Sequence, residues 1–447
     1  MTTSLAQVLL FLIAGIGVIV LLTARYRVHA FFALIIACFV VGLGVQMPVA
    51  EILRAARQGF GNIMQSLGLI IVLGTTLGVL LEHSGSTRVM ADFILKKVGD
   101  RNAALAMSIT GFVVGLPIFC DSGYIVLNGL NQSIARKTGI SIIIMSISLA
   151  TGLYSVHCLV PPHPGAAAAA GTIGVDFGKL ILAGIIVAIP AMLTGYWWAR
   201  YAARKIPTVA PQPDHHIPAS KSSASVASAF LPVIVPILLI ALKSFISIEH
   251  IATEDLINIL NITGDPVIAL AIGVLLAFTT GGGWSRGSVG KLLQESAEKA
   301  GSILVIIGAG GAFGAVLEAT HLGNQFSNLK GLSMLGIFFP FLISSVLKTA
   351  QGSSTVAIIT AASIVLPLLP ALGLNTEQGK ILTVLSMGAG SMMISHANDA
   401  YFWVIAKFSG LEMKTMLKVY SMATLFMGVV SLAMIYMLSF LMQWLTQ

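Results

Sequence analysis

The chain has 447 residues, of which 56% are hydrophobic and 9% are charged, and its formal net charge is +8. Soluble domains carry about a quarter charged residues, so this composition excludes a soluble globular protein. Apolar runs of about 18–22 residues predict membrane-spanning helices, whereas a membrane barrel would show alternating segments of about 10 residues. The lysines and arginines cluster at the ends of these runs, where they indicate topology and not nucleic-acid binding. We therefore predict an all-α polytopic membrane protein.

The predicted spans cover, in chain order, about 4–23, 28–47, 62–82, 140–175 (interrupted), 178–200, 229–248, 266–284, 300–318, 380–406 (interrupted) and 420–444. Two further apolar regions, about 103–135 and 333–371, are too long for one crossing. Each has a polar centre that contains glycine, "FCDSGY" (119–124) and "AQGSST" (350–355). We interpret both regions as re-entrant hairpins, which enter and leave the membrane on the same side.

The two halves of the chain repeat. The stretch "GTTLGVLLE" (74–82) matches "GGAFGAVLE" (310–318) at four of nine positions. The stretches "LATG" (149–152) and "LSMG" (385–388) are related by the same shift along the chain. Each half makes about five crossings, an odd number, so the halves must be inverted relative to each other. Inverted repeats with broken helices are typical of secondary transporters. We predict a first inverted repeat at 1–204, a Pro- and Ser-rich linker at 205–228 and a second inverted repeat at 229–447.

The basic residues predict which side of the membrane each end faces. With the N-terminus outside, the basic clusters around the first hairpin and before the linker, which include Arg136 and Arg200, fall on the cytoplasmic side together with the linker. The acidic region 249–265 then lies outside. This arrangement satisfies the positive-inside rule except at Arg54 and Arg57.

The interruption in the first half falls in "VHCLVPPHPG" (156–165), where Pro161, Pro162 and Pro164 remove backbone donors and break the helix. Irregular backbone at membrane depth is tolerated only where it lines a cavity or is buried in protein. A half-helix N-terminus also favours an anion. The equivalent place in the second half is "HANDAY" (396–401). We predict that the two breaks and the two hairpin tips meet near the midplane and form a substrate site.

Five ionisable residues in apolar surroundings are the strongest candidates for this site. Asp121 and Asp399 either bind and release a proton or cap the helices that follow them. Lys348 either pairs with a substrate carboxylate or extends to the membrane interface. His157 and His163 bracket the first break, and each either bonds a hydroxyl or shares a proton, or is packed as a structural residue.

Small polar residues at the tips and breaks complete the predicted substrate-binding set. They offer hydroxyls and close backbone approach to a hydroxylated solute, or they are plain turn and cap formers. The set is Ser122, Gly123, Pro162, Gln351, Gly352, Ser353, Ser354, Thr355 and Asn398. Gly74, Gly78, Gly310 and Gly314 predict close helix packing.

Enzymatic motifs are not apparent. The stretch "GAGGAFGA" (308–315) lies inside an apolar span and follows no strand, so it does not indicate a dinucleotide site. A Walker A motif and metal-ligand spacing are also missing from the sequence. We therefore expect neither catalytic residues nor a cofactor or metal, and we expect transport to be driven by a gradient.

Several stretches together resemble the gluconate permease family of bacterial proton symporters: "PIFCDSGYIVL" (117–127), "VHCLVPPHPG" (156–165), "VIIGAGGAF" (305–313), "TAQGSSTVAIITAA" (349–362) and "NDAYFW" (398–403). The resemblance implies an inner-membrane importer of small hydroxy or amino acids. It also implies the fold of the dicarboxylate/ion transporter superfamily, in which a scaffold dimerises and a transport domain moves as an elevator. Asp121, Asp399, Lys348 and the two histidines of the first break match family positions.

From the residues and the resemblance together we expect a proton symporter for a small hydroxylated carboxylate, gluconate first. The expected proton-coupling carboxylate is Asp121 first and Asp399 second. The tip sequence "CDSGY" departs from the bulkier apolar run of several family members, which leaves D-glycerate and D-serine open as substrates. A sodium-coupled carrier is the nearest alternative. A channel or receptor for the same acids is the alternative from a different class.

Overall fold

The computed structural model describes residues 5–204, 206, 225–249, 254–280, 284–320, 334–396 and 399–445. All regular secondary structure in these ranges is helical. Six segments are long and apolar enough to cross a membrane: Val49–His83, Ile142–Ile173, Phe177–Ala203, Val226–Lys243, Gly287–Ala319 and Met413–Met442. Most of the predicted linker, 205–228, and the candidate Asn398 lie outside the described residues.

The helices of the first half are α1 (Leu5–Val20), α2 (Ala30–Gly44), α3 (Val49–His83), α4 (Ser86–Val98), α5 (Ala103–Gly115), α6 (Cys120–Thr138), α7 (Ile142–Leu159), α8 (Pro164–Ile173) and α9 (Phe177–Ala203). Those of the second half are α10 (Val226–Glu249), α11 (Glu254–Thr263), α12 (Pro266–Phe278), α13 (Arg286–Ala319), α14 (Phe338–Gln351), α15 (Ser354–Val365), α16 (Glu377–Met392), α17 (Ala400–Ser409), α18 (Met413–Met416) and α19 (Met422–Leu445). A π-helical turn, Leu417–Ser421, joins the last two.

The starts of equivalent helices repeat along the chain at the spacing found in the sequence, which is the spacing between positions 74 and 310. Helix α2 begins at Ala30, and α12 begins at Pro266, one such spacing later. The half-helices α8 and α17 begin at Pro164 and Ala400, which are again separated by this spacing. The shift found in the sequence therefore corresponds to a repeated order of helices.

Both regions expected to be hairpins are pairs of helices joined by a short turn. Helix α5 ends at Gly115 and α6 begins at Cys120, and the outer ends of the pair are joined by an ion pair between Lys137 Nζ and Asp100 Oδ2 at 2.7 Å. In the second half, α14 and α15 are separated only by positions 352 and 353. Gly352 has a φ of +86°, a conformation that favours glycine.

Two long helices differ from their predicted bounds. Helix α3 begins at Val49 and α13 at Arg286, whereas the apolar runs begin near 62 and 300. Hydropathy marks only the apolar part of a helix, and the earlier turns carry exposed charges such as Arg54 and Arg57. The two helices cross at glycines: a Cβ on Gly59 would lie 2.2 Å from the Gly311 carbonyl oxygen.

Each hairpin packs against the half-helix of the opposite half, and this exchange positions the site. Asn128 Nδ2 on α6 donates a hydrogen bond of 3.0 Å to the Phe408 carbonyl oxygen on α17. Reciprocally, α8 packs on α15, where a Cβ on Gly165 would lie 3.2 Å from Thr355 Cα. The two tips and the two breaks are therefore held in one interlocked core.

Candidate functional site

The first break is bonded directly to the first hairpin tip. Helix α7 ends at Leu159 and α8 begins at Pro164, and His163 stands immediately before α8. The Nε2 atom of His163 lies 2.5 Å from the carbonyl oxygen of Gly115, the last residue of α5. In the most apolar part of the broken segment Ile142–Ile173, 94% of the residues are buried. Its irregular backbone is thus covered by protein, as membrane depth requires.

A small cavity lies between this break, the first tip and α3. Its lining is Ile71, Gly74, Thr75, Pro117, Phe119, Pro162, His163 and Pro164. A Cβ on Gly78 would lie 2.8 Å from the Pro117 carbonyl oxygen, and a Cβ on Gly74 would lie 3.4 Å from Pro162 Cβ. Gly78 therefore packs against the tip and Gly74 against the break, whereas we had expected both to pack against a neighbouring helix. Their equivalents Gly310 and Gly314 do face a helix, α15.

The second break is joined to the second tip by a buried ion pair. Lys348 Nζ lies 2.7 Å from Asp399 Oδ2, and the two side chains are 1% and 8% exposed. Asp399 Oδ2 also accepts a hydrogen bond from Ser395, and Oδ1 accepts one of 3.0 Å from the Tyr401 amide, which caps α17. Lys348 donates a further hydrogen bond to the Gly352 carbonyl at the tip.

The neighbouring His396 reinforces this junction, since its Nε2 atom lies 3.0 Å from the Thr349 carbonyl oxygen. Among the side chains that the structure describes, Lys348 is the one buried lysine or arginine, and Asp399 is the one fully buried carboxylate. An anion that entered this interior would thus meet a single buried cation. The sequence proposed Lys348 as the partner of a substrate carboxylate, and in the structure its partner is Asp399.

A group of tyrosines surrounds the ion pair, and sequence reasoning missed it. The Tyr154 hydroxyl donates to the Ser391 carbonyl, and the Tyr401 hydroxyl donates to the Ala150 carbonyl, both at 3.1 Å. The ring centres of Tyr154 and Tyr401 are 5.7 Å apart. Lys348 Nζ lies 5.9 Å from the centre of the Tyr154 ring, within cation–π range. Tyrosines at these positions within apolar spans were the available signal.

The aromatic contacts continue from the second break to the first. Tyr154 stacks on His157 with ring centres 6.2 Å apart, and His157 approaches His163 at 4.9 Å. His157 is buried, and its Nδ1 atom has no hydrogen-bond partner among the described residues. The structure therefore brings together Lys348, Asp399 and both histidines in one continuous polar strip through the core.

The remaining candidates occupy the tips. Asp121 lies in the first turn of α6 and is partly exposed; Cys120 Sγ lies 3.4 Å from its Oδ1. Both amide atoms of Gln351 are buried, and neither has a partner in the described part of the chain. Ser353 caps α15 through the Val356 amide. The other tip residues are Ser122 and Thr355, which are partly exposed, and Gly123, Gly352 and Ser354, which are buried.

The helical bundle, with two broken helices, two hairpins and a buried ion pair between them, defines a multi-pass membrane transport protein. A family model described as "GntP family permease" matches residues 7–441. The chain belongs to this permease family, so the resemblance noted in the sequence is confirmed.

Curated relatives match along almost the whole chain. The gluconate permease of Pseudomonas aeruginosa is 36% identical over 439 residues, covering 96% of each chain. The D-serine transporter DsdX of Escherichia coli K12 is 31% identical, covering 96% of this chain and 98% of the relative. The inner membrane permease YgbN of the same strain is 30% identical, covering 93% and 95%. These relatives are named as permeases and transporters, which are not enzymes.

Two solved structures share the fold. The YdaH transporter of Alcanivorax borkumensis aligns with a TM-score of 0.59 at 16% identity, covering 85% of this chain and 87% of that one. MtrF of Neisseria gonorrhoeae aligns with a TM-score of 0.62 at 16% identity, covering 93% and 96%. At this identity the likeness concerns the fold alone, and it confirms the predicted class of helical transporter fold.

Proposed function

We propose that the protein imports a small hydroxylated monocarboxylate, gluconate first, together with a proton. The observation that carries this proposal is the buried ion pair of Lys348 and Asp399 at the junction of the second tip and the second break. A buried cation can bind a carboxylate substrate, and a buried acid can bind and release a proton. The pair supplies one of each at 2.7 Å.

The gluconate permease at 36% identity supports the substrate class. Here we reverse the order expected from the sequence and propose Asp399 as the first proton carrier, because it is buried and paired with Lys348, whereas Asp121 is partly exposed. Asp121, in the first turn of α6, is the second candidate. The polar residues of the tips, of which Gln351 is nearest to Lys348 along the chain, are proposed to bond the hydroxyls.

The wider arrangement is part of the same proposal. The repeated helix starts support two repeats, 1–204 and 229–447, joined by a cytoplasmic linker, and the odd number of crossings supports their inversion. We propose an inner-membrane location with the N-terminus outside. Following the resemblance to the permease family, we also propose a homodimer in which the hairpins and broken helices move together as an elevator.

D-serine is a second candidate substrate for a specific reason. A zwitterion carries one carboxylate and one ammonium group, and the adjacent cation and carboxylate of Lys348 and Asp399 complement both. The relative named as a D-serine transporter is 31% identical. Gluconate would pair in this way with the lysine alone. Competition between the two solutes for uptake shows which of them the site binds more tightly.

The test is uptake by purified protein in proteoliposomes. Radiolabelled gluconate should accumulate when the side from which it is taken up is acidic, and the accumulation should stop when a protonophore is added. Replacing Na⁺ with choline should leave the rate unchanged, which separates a proton symporter from a sodium-coupled carrier. Equilibration without accumulation would instead identify a channel. Excess unlabelled D-glycerate and D-serine, added separately, rank the alternative substrates.

A further inference from the structure

We infer that Asp399 is an internal stand-in for the substrate carboxylate: the substrate anion takes its place on Lys348 when Asp399 accepts a proton. This inference rests on the proposed function and specifies its coupling step. In the structure both charges of the pair are buried and neutralise each other. Lys348 therefore has no uncompensated positive charge with which to bind a second anion. A carboxylate that arrived while Asp399 was ionised would place two negative charges beside one lysine.

The geometry around the acid suits such an exchange. Asp399 Oδ2 faces Lys348 and Ser395, whereas Oδ1 accepts the Tyr401 amide at the start of α17. A proton on Oδ2 would break the ion pair and keep the cap, because Oδ1 remains an acceptor. Lys348 also keeps its hydrogen bond to the Gly352 carbonyl, which holds the ammonium group at the tip.

The exchange begins and ends with an electrically neutral site. The closed pair has a net charge of zero, protonation of Asp399 leaves the positive charge of Lys348 uncompensated, and the substrate carboxylate returns the site to zero. One proton therefore enters for each anion, and uptake moves no net charge. The other titratable groups near Asp399 or Lys348 lie on α6, α7, the second break, α17 and the π-helical turn: Cys120, Asp121, Tyr154, His157, Cys158, His396, Tyr401 and Tyr420.

Wild-type protein in detergent should bind gluconate more weakly as pH rises, by about tenfold per pH unit where Asp399 is ionised in the free protein. Calorimetry in buffers of different ionisation enthalpy should show one proton taken up per anion bound. In proteoliposomes, a membrane potential imposed with valinomycin and K⁺ should leave the uptake rate unchanged. A potential-dependent rate, or binding without proton uptake, would overturn the inference.

Asp399→Asn isolates the role of the acid. The asparagine keeps the cap of α17 but cannot be ionised, so Lys348 should bind gluconate at least tenfold more tightly at pH 8 than in the wild type, with no pH dependence. The variant should exchange gluconate across the membrane and fail to accumulate it. A merely structural role would weaken binding at every pH. Asp265→Asn is the matched control, since Asp265 caps α12 through the Val267 amide at 2.9 Å.

The double variant Lys348→Gln/Asp399→Asn keeps the test decisive if the single variant does not fold. It removes both charges together and leaves no buried ion unpaired, and it should be folded and unable to bind gluconate. Binding by this variant would overturn the inference. Wild-type protein that neither binds nor accumulates gluconate at any pH would refute the proposed function itself. A pH dependence that persists in Asp399→Asn would refute only the exchange.

Discussion

The two breaks occupy equivalent places in the repeat but are joined to their hairpin tips by different chemistry. In the first half, His163 meets the Gly115 carbonyl directly, at 2.5 Å. In the second half, Asp399 stands at the position equivalent to 163, one repeat spacing later, and reaches the tip through Lys348. One junction is a hydrogen bond to the backbone, and the other is a buried ion pair.

From this difference we expect the two halves to have separate roles. A hydrogen bond to a carbonyl holds a tip whatever the ionic state of the ligand, whereas a buried ion pair must be neutralised or replaced before either charge can change partners. The first tip is also wedged against α3 at Gly78, where there is no room for a Cβ. We therefore expect substitutions at the second junction to abolish transport and those at the first to weaken it.

The largest effect is expected for Lys348→Met. The substitution removes the buried cation and leaves Asp399 without its partner, so uptake of gluconate should fall by more than about 100-fold. Breaking a buried pair on one side lowers the free energy of unfolding by about 3–5 kcal/mol. Uptake in proteoliposomes and thermal unfolding in detergent measure the two quantities.

Lys179→Met is the matched control for this prediction. Its ion pair with Glu377 joins α9 to α16 at 2.5 Å, but the two side chains are 30% and 61% exposed. Exposed pairs contribute about 0–1 kcal/mol, so this variant should behave as the wild type does. If uptake and stability fell equally in the two variants, burial of the Lys348–Asp399 pair would not explain its importance.

The second largest effect is expected for His163→Ala. The Gly115 carbonyl would lose its partner in a buried setting, which destabilises the fold by about 1–3 kcal/mol. Uptake should fall about tenfold and keep the wild-type dependence on pH. His83→Ala is the control, because His83 is 43% exposed and its ring nitrogens lie near the Val79 carbonyl of its own helix and Glu295. A complete loss of pH dependence in His163→Ala would move the coupling step to the first half.

Much of this comparison was accessible from the sequence, because backbone breaks have local causes. Prolines at 161, 162 and 164 identify the first break, and polar residues in an apolar run identify the second. The pairing of Lys348 with Asp399 was not accessible, since it depends on how α14 and the second break pack together. The early turns of α3 were missed for another reason: their charged face is exposed, and hydropathy marks only apolar runs.

The third prediction concerns Gly78→Ala, which tests the packing of the first tip. The added Cβ would lie 2.8 Å from the Pro117 carbonyl oxygen, so the tip must shift. Overpacking of this kind destabilises by about 1–3 kcal/mol, and we expect a several-fold slower uptake. Gly61→Ala on the same helix has nothing within 4 Å and should be neutral or slightly stabilising. If both variants unfold at the same temperature, the tip is not wedged against α3.

Gln351→Ala is expected to have the smallest effect on stability. It also gives the clearest test of the difference between the second tip and the first hairpin. Both amide atoms of Gln351 are buried without a partner among the described residues, so their removal breaks no hydrogen bond in that part of the chain. The free energy of unfolding should change by less than about 0.5 kcal/mol. If the amide bonds a substrate hydroxyl, the Kd for gluconate should rise about tenfold, the equivalent of one hydrogen bond.

The matched variant for this prediction is Gln132→Ala on the first hairpin, where Nε2 donates a 3.3 Å hydrogen bond to the Phe408 carbonyl. The Nε2 atom of this glutamine already has a partner in the protein, whereas its Oε1 atom is buried without one among the described residues. Loss of the Nε2 bond should lower stability and leave the Kd unchanged. The same substitution should therefore have opposite effects at the two glutamines. At the second tip it should weaken gluconate binding and leave stability unchanged, and in the first hairpin it should lower stability and leave gluconate binding unchanged. If Gln351→Ala lowers stability and leaves the Kd unchanged, the second tip holds its hydroxyl ligand through other residues, and Ser354 becomes the next side chain to substitute.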